Sequence, residues 1–298
     1  MKKITPHLWF DKEAKEAVRF YASLFPDSKI TNVTTLHDTP SGDADIVSFE
    51  LAGQPFMAIS AGPIFKFNPS VSFLVVCKSR DEVDRLWTKF SEGGSVLMEL
   101  GEYPFSKHYG WVADKYGLSW QVILDDGHYK YKHKITPTLM FVGDVAGRAE
   151  EAMKFYASIF PDGKLGDIAR YPAGMEPEKE GTVMHGAVVL AGQEIFAMDS
   201  AQEHKFNFNE AVSLMVNCKN QEEIDYFWRK LTKGGDPAAQ QCGWLKDKFG
   251  VSWQVTSILM SEMLKNGTRE QIDRVTKAFL PMKKFDIAQL KVAFEGGE

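Results

Sequence analysis

Short apolar runs and amphipathic segments follow one another along the chain in a regular order. Residues 4–10 form an apolar run that predicts a strand. Residues 12–24 carry apolar side chains at the three-and-four spacing of a helix with one buried face. Three strand-like runs follow, at 29–36, 44–52 and 55–60. This part of the chain therefore predicts the order βαβββ.

The same order begins again directly afterwards. Residues 71–76 are rich in β-branched and aromatic side chains, which is typical of a strand. A helix is predicted at 80–92, because its apolar residues share one face and Gly93-Gly94 can end it. Further strands are predicted near 95–100, 109–113 and 119–124. Residues 1–125 thus contain two βαβββ modules.

The remainder of the chain repeats this wording once. Sequences that occur near the start return in the same order, as Ile4-Thr5-Pro6 and Ile135-Thr136-Pro137, Phe20-Tyr21-Ala22-Ser23 and Phe155-Tyr156-Ala157-Ser158, and Ser119-Trp120-Gln121 and Ser252-Trp253-Gln254. The offset between matching positions varies by several residues, so each copy is a folding unit with loop insertions and not a short solenoid repeat.

The repeat divides the chain into four segments. We predict a first unit at 1–125, a linker at 126–133, a second unit at 134–258 and a helical tail at 259–298. In the tail, Thr268 and Gln271 have the spacing of a capping box at the start of a helix. The fold class is α+β, with two tandem units of two βαβββ modules each.

Composition restricts the range of functions. Of 298 residues, 44% are hydrophobic and 25% charged, as in soluble globular proteins. The net charge of -5 argues against a nucleic-acid partner, and no apolar run is long enough to cross a bilayer. Three cysteines suit a reducing compartment better than a disulfide framework. We therefore expect a cytoplasmic protein without a nucleic-acid or membrane partner.

Several of these motifs together resemble a known superfamily. The carrying residues are Ile4-Thr5-Pro6-His7-Leu8-Trp9-Phe10, Phe20-Tyr21 with Phe25-Pro26, Gly117-Leu118-Ser119-Trp120-Gln121, and, in the second copy, Cys242-Gly243-Trp244 and Asp247 to Gln254. The chain resembles the vicinal oxygen chelate superfamily, which includes glyoxalase I, extradiol dioxygenases and antibiotic-resistance proteins. Within it, the chain is similar to the PhnB-like branch, often labelled 3-demethylubiquinone 3-methyltransferase-like. The resemblance implies that each unit closes into an open cup.

The resemblance also implies where metal ligands would lie. Carried over to this sequence, the ligand positions are His7, Ser60, Ser72 and Gln121 in the first copy, and Thr138, Asp199, Ser213 and Gln254 in the second. Copy one offers one imidazole and no carboxylate, whereas copy two offers one carboxylate and no imidazole. Hydroxyls and amides alone bind zinc or nickel poorly. A divalent metal cofactor is thus poorly supported, and the two glutamines could equally be strand amides that bond to neighbouring groups.

Aromatic side chains recur near the predicted cups. They are Trp9, Phe67, Trp111 and Trp120 in the first copy and Phe208, Trp244 and Trp253 in the second. Rings together with a few hydroxyls and amides are typical of a site for a small flat or amphipathic molecule, although tryptophans also fill protein cores. Cys242 stands where copy one has Tyr109, so it could be a pocket thiol.

Two functions remain compatible with these residues. One is an enzyme of the glyoxalase and dioxygenase class, acting on a small oxygenated substrate. The other is a metal-free binding protein that sequesters a small molecule. A methyltransferase that uses S-adenosylmethionine is disfavoured, because no glycine-rich turn joins a parallel strand to a helix. We also expect the two copies to pack against each other in a monomer or loose homodimer, since fusion raises their effective concentration.

Overall fold

The strands and helices of the first copy follow the predicted order. The structure is a computed structural model that describes residues 2–127 and 129–297. The strands are β1 (Ile4–Phe10), β2 (Lys29–Thr39), β3 (Gly42–Leu51), β4 (Gln54–Ser60), β5 (Val71–Cys77), β6 (Ser95–Tyr103), β7 (Ser106–Ala113) and β8 (Ser119–Leu124). The helices are α1 (Ala14–Leu24) and α2 (Arg80–Ser91). The βαβββ-βαβββ order is therefore confirmed for this copy.

The second copy departs from that order at one place. Its strands are β9 (Ile135–Phe141), β10 (Lys164–Arg170), β11 (Val183–Leu190), β12 (Gln193–Asp199), β13 (Val212–Cys218), β14 (Trp244–Lys246) and β15 (Ser252–Ser257), with the helices α3 (Ala149–Ile159) and α4 (Gln221–Leu231). The counterpart of β6 is replaced by a short 3-10 turn at Pro237–Ala239. Proline lacks the N–H that a strand ladder needs, and the Asp236 side chain accepts a hydrogen bond from Ala238 N instead.

Strand pairing divides the chain into two compact units. Unit 1 contains the residues up to Lys66 and those from Asn209 onward, and its seven-stranded sheet has the order β14-β15-β13-β1-β4-β3-β2. Unit 2 spans Phe67–Phe208, and its eight-stranded sheet has the order β10-β11-β12-β9-β5-β8-β7-β6. Each unit thus contains one βαβββ module from each copy, with the last module shortened to two terminal strands.

Each unit combines one module from each copy, an arrangement that we call module exchange. It differs from the expectation of one cup for each copy. In unit 1, β1 runs antiparallel to β13, and His7 lies opposite Ser213. In unit 2, β5 runs antiparallel to β9, and Ser72 lies opposite Thr138. Because both copies carry the same alternation in these strands, a module can pair with its own copy or with the other one. The boundaries 1–125 and 134–258 therefore describe the sequence repeat and not the compact units.

Helices cover one face of each sheet. The buried face of α1, which includes Ala14, Val18 and Tyr21, packs on β3 and β4 in unit 1, and α2 packs on β7 and β8 in unit 2. Because successive strand residues point to opposite faces, Leu8 lies on the helix side, whereas His7 lies on the other. We call the side away from the helices the inner face.

The tail forms three helices that belong to unit 1. They are α5 (Ile258–Asn266), α6 (Arg269–Phe279) and α7 (Ile287–Glu295). The capping box of Thr268 and Gln271 is confirmed at the start of α6. None of the helices in the described residues is long and apolar enough to span a membrane.

The tail is attached to both edge strands of the unit 1 sheet. At β2, the Thr34 hydroxyl donates to the Leu264 carbonyl over 3.0 Å. Just before β14, Cys242 N donates to Met282 O and Gly243 N donates to Lys283 O, each over 2.7 Å. The three helices thus connect the two ends of one sheet.

Candidate ligand-binding site

Polar and aromatic groups from β1, β13, β14 and β15 meet on the inner face of unit 1. The Gln254 amide donates to Ser213 Oγ over 2.9 Å. The Trp244 ring meets the His7 ring edge to face at a centroid distance of 5.3 Å, and the Trp9 ring lies 6.0 Å from Trp244. We call these five residues the His7 site.

His7 is an uncharged group inside this site. Its side chain is 3% exposed, and desolvation lowers its pKa to about 3. Among the described residues, the buried Nδ1 atom has no hydrogen-bond partner. A neutral imidazole has one ring nitrogen that donates and one that accepts, so His7 presents an unused polar atom at neutral pH.

Two further polar groups of the His7 site are also unused. The Trp244 indole N–H and the Gln254 Oε1 atom make no hydrogen bond within the described part of the chain. The side chain of Trp244 is half-buried and that of Gln254 is buried. The site thus combines an indole donor, an amide acceptor and an imidazole nitrogen with two aromatic rings.

In unit 2, the corresponding groups bond to one another. The Trp111 indole donates to Ser119 Oγ over 2.7 Å. Gln121 donates to Ser72 Oγ over 2.7 Å and accepts from the Tyr109 hydroxyl over 2.8 Å. Thr138, in the place of His7, keeps a buried hydroxyl without a partner among the described residues. The inner face of unit 2 therefore satisfies most of the polar groups that unit 1 leaves unused.

Cys242 explains part of this difference. Register places Trp244 opposite Gln254 and Trp111 opposite Gln121, so Cys242 corresponds to Tyr109. Its thiol donates to the Leu280 carbonyl of the tail over 3.3 Å. Burial raises the pKa of this thiol, so it is not an activated nucleophile. Its bond to the tail also corrects the prediction of a pocket thiol.

Trp120 and Trp253 lie on the helix side, which corrects their predicted place in the cups. Trp120 stacks on Phe90 of α2 at a centroid distance of 4.7 Å. Its indole N–H donates to Asp114 over 2.9 Å, and that of Trp253 donates to Asp247 over 2.8 Å. Both tryptophans are fully buried and belong to the cores of their units.

Ser60 and Asp199 hold helix starts instead of facing the inner surface. Ser60 Oγ accepts from Ala14 N over 3.1 Å. Asp199 accepts from Gly147 N and Ala149 N through one oxygen and from Val183 N through the other. Burial raises the pKa of Asp199, and the three amides oppose that shift. These bonds occupy the oxygens that a metal or ligand would need.

The remaining predicted aromatic residues lie in different surroundings. Phe208 is buried against Phe141 at a centroid distance of 5.1 Å. Phe67 is half-buried and lies near the turn at Gly117. Trp9 belongs to the His7 site, although its indole N–H is already used by the Gly62 carbonyl at 2.8 Å.

The sequence reasoning missed an aromatic cluster on the inner face of unit 2. It includes Tyr109, Tyr129 and Tyr131 around Phe196. Tyr129 and Tyr131 fall in the predicted linker at 126–133. The signal was available, since two tyrosines in a short polar linker need a surface to cover.

The donor set of the His7 site does not suit the divalent metal that the superfamily implies. It contains one imidazole, one hydroxyl and one amide, and the last two are already bonded to each other. Within the described residues, no three His, Cys, Asp or Glu side chains form a group that could hold a metal ion. Zinc and nickel sites need more imidazole, carboxylate or thiolate ligands than this.

A family model matches the chain twice, over residues 2–123 and 133–256. Its description is 3-demethylubiquinone-9 3-methyltransferase. The chain belongs to this family. The expected PhnB-like branch of the vicinal oxygen chelate superfamily is thereby confirmed, with two tandem copies.

Two solved structures of glyoxalase I agree with the fold of this PhnB-like protein. Glyoxalase I from Zea mays is 10% identical, with a TM-score of 0.56 over 89% of this chain and 98% of its own. A mutant of the same glyoxalase I gives 12% identity and a TM-score of 0.53 over 85% of this chain and 93% of its own. A putative PhnB protein from Bacillus cereus is 40% identical over 41% of this chain and 99% of its own, with a TM-score of 0.39. No curated protein matches the chain.

Proposed function

We propose that this PhnB-like protein binds a small flat molecule at the His7 site without a metal ion. The observation that carries the proposal is the set of unused polar atoms on His7, Trp244 and Gln254, beside two indole rings. The buried Nδ1 atom of His7 costs free energy while it has no partner, and a ligand that supplies the missing hydrogen bond removes that cost. The ligand would carry both a hydrogen-bond donor and an acceptor on an uncharged ring.

Binding is favoured over turnover by the charge state of His7. A general base works best when its pKa lies near the working pH. The pKa of His7 is about 3, so its imidazole is a weak base at neutral pH. The site is therefore better suited to hydrogen bonding than to proton transfer, which supports the sequestering hypothesis over the enzyme of the glyoxalase and dioxygenase class.

The test is a titration of EDTA-treated protein with small neutral ring amides such as 2-pyridone and benzamide. Trp9 and Trp244 contribute to the indole fluorescence of the seven tryptophans, and calorimetry gives the dissociation constant. His7→Phe keeps the ring and removes both nitrogens, so we expect about tenfold weaker binding, the loss of about one hydrogen bond.

Thr138→Val is the matched control, because it removes the polar group at the same position of unit 2. It should leave the affinity unchanged. Equal affinity of wild type and His7→Phe would overturn the proposal, and so would binding that appears only when a divalent metal is added.

A further inference from the structure

Unit 2 already holds an aromatic side chain on its inner face, supplied by its own linker. The Tyr129 ring meets Phe196 edge to face at 5.7 Å, and the Tyr131 ring lies 4.7 Å from Tyr129 and 6.2 Å from Phe196. His185 adds a fourth ring, 4.6 Å from Phe196. The linker thus places a phenol between rings in the manner of a bound aromatic molecule.

The hydroxyl of that phenol bonds to a buried carboxylate. Glu194 is 1% exposed, and its Oε1 atom accepts from the Tyr129 hydroxyl over 3.2 Å. Its Oε2 atom accepts from Lys132 N over 3.4 Å. Both donors come from the linker. Within the described residues, the Glu194 carboxylate therefore receives these two hydrogen bonds from that segment. The corresponding strand position in unit 1 is Pro55, which carries no such group.

Space remains beside the phenol. A cavity of about 370 Å³ adjoins Tyr129 and Glu194. The charged side chains around it are Lys130, Lys132, Lys164 and Asp167. The lysines outnumber the exposed acid, and Glu194 is engaged by the linker. The cavity therefore combines the Glu194 carboxylate, which can accept a hydrogen bond from a phenol, with exposed lysines that form its cationic rim.

We propose that unit 2 contains a phenol-binding site that the linker occupies through Tyr129. A free phenol would displace the linker by placing its own hydroxyl on Glu194 and its ring against Phe196. A phenol with an acidic substituent would gain from the lysines at the rim. The linker is then an internal competitor, and the apparent affinity for a free phenol is the intrinsic affinity multiplied by the fraction of molecules in which the linker is displaced.

A cavity variant tests the site directly. Tyr129→Ala removes the phenol group, and p-cresol, the small-molecule analogue of a whole tyrosine side chain, is added. We expect p-cresol to raise the Tm of Tyr129→Ala by several degrees more than that of wild type. Toluene lacks the hydroxyl and should bind about tenfold more weakly, because it leaves the Glu194 carboxylate without a donor. Equal effects of p-cresol and toluene, or equal shifts in both proteins, would overturn the proposal.

Wild-type protein supplies a second test that does not require the variant to fold. Trypsin can cut after Lys130 and Lys132, which lie in the linker. Addition of 4-hydroxyphenylacetate should accelerate cleavage there several-fold, while phenylacetate should not. Cleavage rates that both compounds leave unchanged would contradict displacement of the linker. Since the His7 site lies in unit 1, loss of binding there would not alter either result.

Discussion

The charge of His7 couples the stability of unit 1 to acid. Its pKa is lowered to about 3 in the folded protein by burial, against about 6.5 in an unfolded chain. The unfolded state therefore binds a proton first as the pH falls below about 6.5. The stability associated with the neutral ring is complete above that pH and is lost progressively toward pH 3.

Urea unfolding between pH 7 and pH 4 should reveal this loss. The wild-type free energy of unfolding should fall as the pH is lowered, and His7 should contribute about 1.4 kcal/mol per pH unit to that fall. We expect His7→Phe to lack this contribution. Burial lowers the pKa of His185 in unit 2 to about 4, so His185→Phe should remove a similar contribution and provides a comparison for the size of the effect. If the pH dependence of His7→Phe matched that of the wild type, His7 would be titrating normally and the neutral-site interpretation would fail.

Asp199 provides a residue-scale test of structural against ligand-binding roles. Asp199→Ala leaves three backbone amides, those of Ala149 and Val183 buried, without their acceptor. We expect a loss of about 3 kcal/mol in the free energy of unfolding. Ligand affinity at the His7 site should not change.

Ser60→Ala serves as the milder comparison, with an expected loss of about 1 kcal/mol. A weaker ligand affinity in correctly folded Asp199→Ala would contradict the assignment of this carboxylate to the start of α3.

Some of the site residues predicted from the sequence lie together and others do not, and the reason is the geometry of a strand. His7, Trp9, Ser213, Trp244 and Gln254 do lie together. Trp120 and Gln121 could not both face one cup, however, because neighbours in a strand point to opposite faces. Strict use of that alternation would have separated the core tryptophans from the inner face. The unused Oε1 atom of Gln254 could not be predicted, since the thiol of Cys242, in the place of the Tyr109 hydroxyl, donates to the distant tail instead.

At the scale of elements, Gly243 joins the tail to the sheet. Its φ is +80°, and an added Cβ would lie 2.6 Å from the Phe285 ring and 2.8 Å from the Val255 carbonyl. We expect Gly243→Ala to detach the end of the tail around Met282 and Lys283. Hydrogen exchange should then be faster in α6 and α7, with little change in α2.

Thr268→Ala is the control within the tail, because it removes only the capping box of α6. It should cost about 1 kcal/mol of helix stability and leave the amides of Cys242 and Gly243 protected. Protection of those two amides in Gly243→Ala would contradict the role of this glycine in tail attachment.

Most elements could be predicted from periodicity, and the exceptions have local causes. The capping box and the helix faces depend on residues close in sequence, so their patterns were sufficient. The prediction of a strand equivalent to β6 in the second copy was wrong. It followed the similarity between the copies, whereas Pro237 disfavours a strand at this place.

At the scale of the whole molecule, module exchange predicts the behaviour of a single copy. In fragment 1–125, β1 and β5 lack the strands β13 and β9 with which they pair. Two fragments can supply the equivalent strands to each other by the same antiparallel pairing, with β5 in the place of β13 and β1 in the place of β9. We expect a stable homodimer by sedimentation and light scattering.

A cooperative monomer of fragment 1–125 would contradict this expectation, since it would show that one copy closes on itself. Leu8→Lys, which places a charge in the core beside β1, should prevent assembly in the fragment. Sequence pattern alone could not distinguish the two closures, because each strand meets an equivalent partner in either arrangement.

The exchange also sets the order in which the protein can fold during synthesis. Unit 2 is continuous in sequence, so it is complete once Phe208 has left the ribosome. Unit 1 must wait, because β1 is among the first segments made whereas β13 and β15 are among the last. The strands before Lys66 can pair with one another, but β1 remains without its other partner, β13, throughout most of translation. Chaperone dependence and sensitivity to premature termination should consequently concentrate in the unit that carries His7.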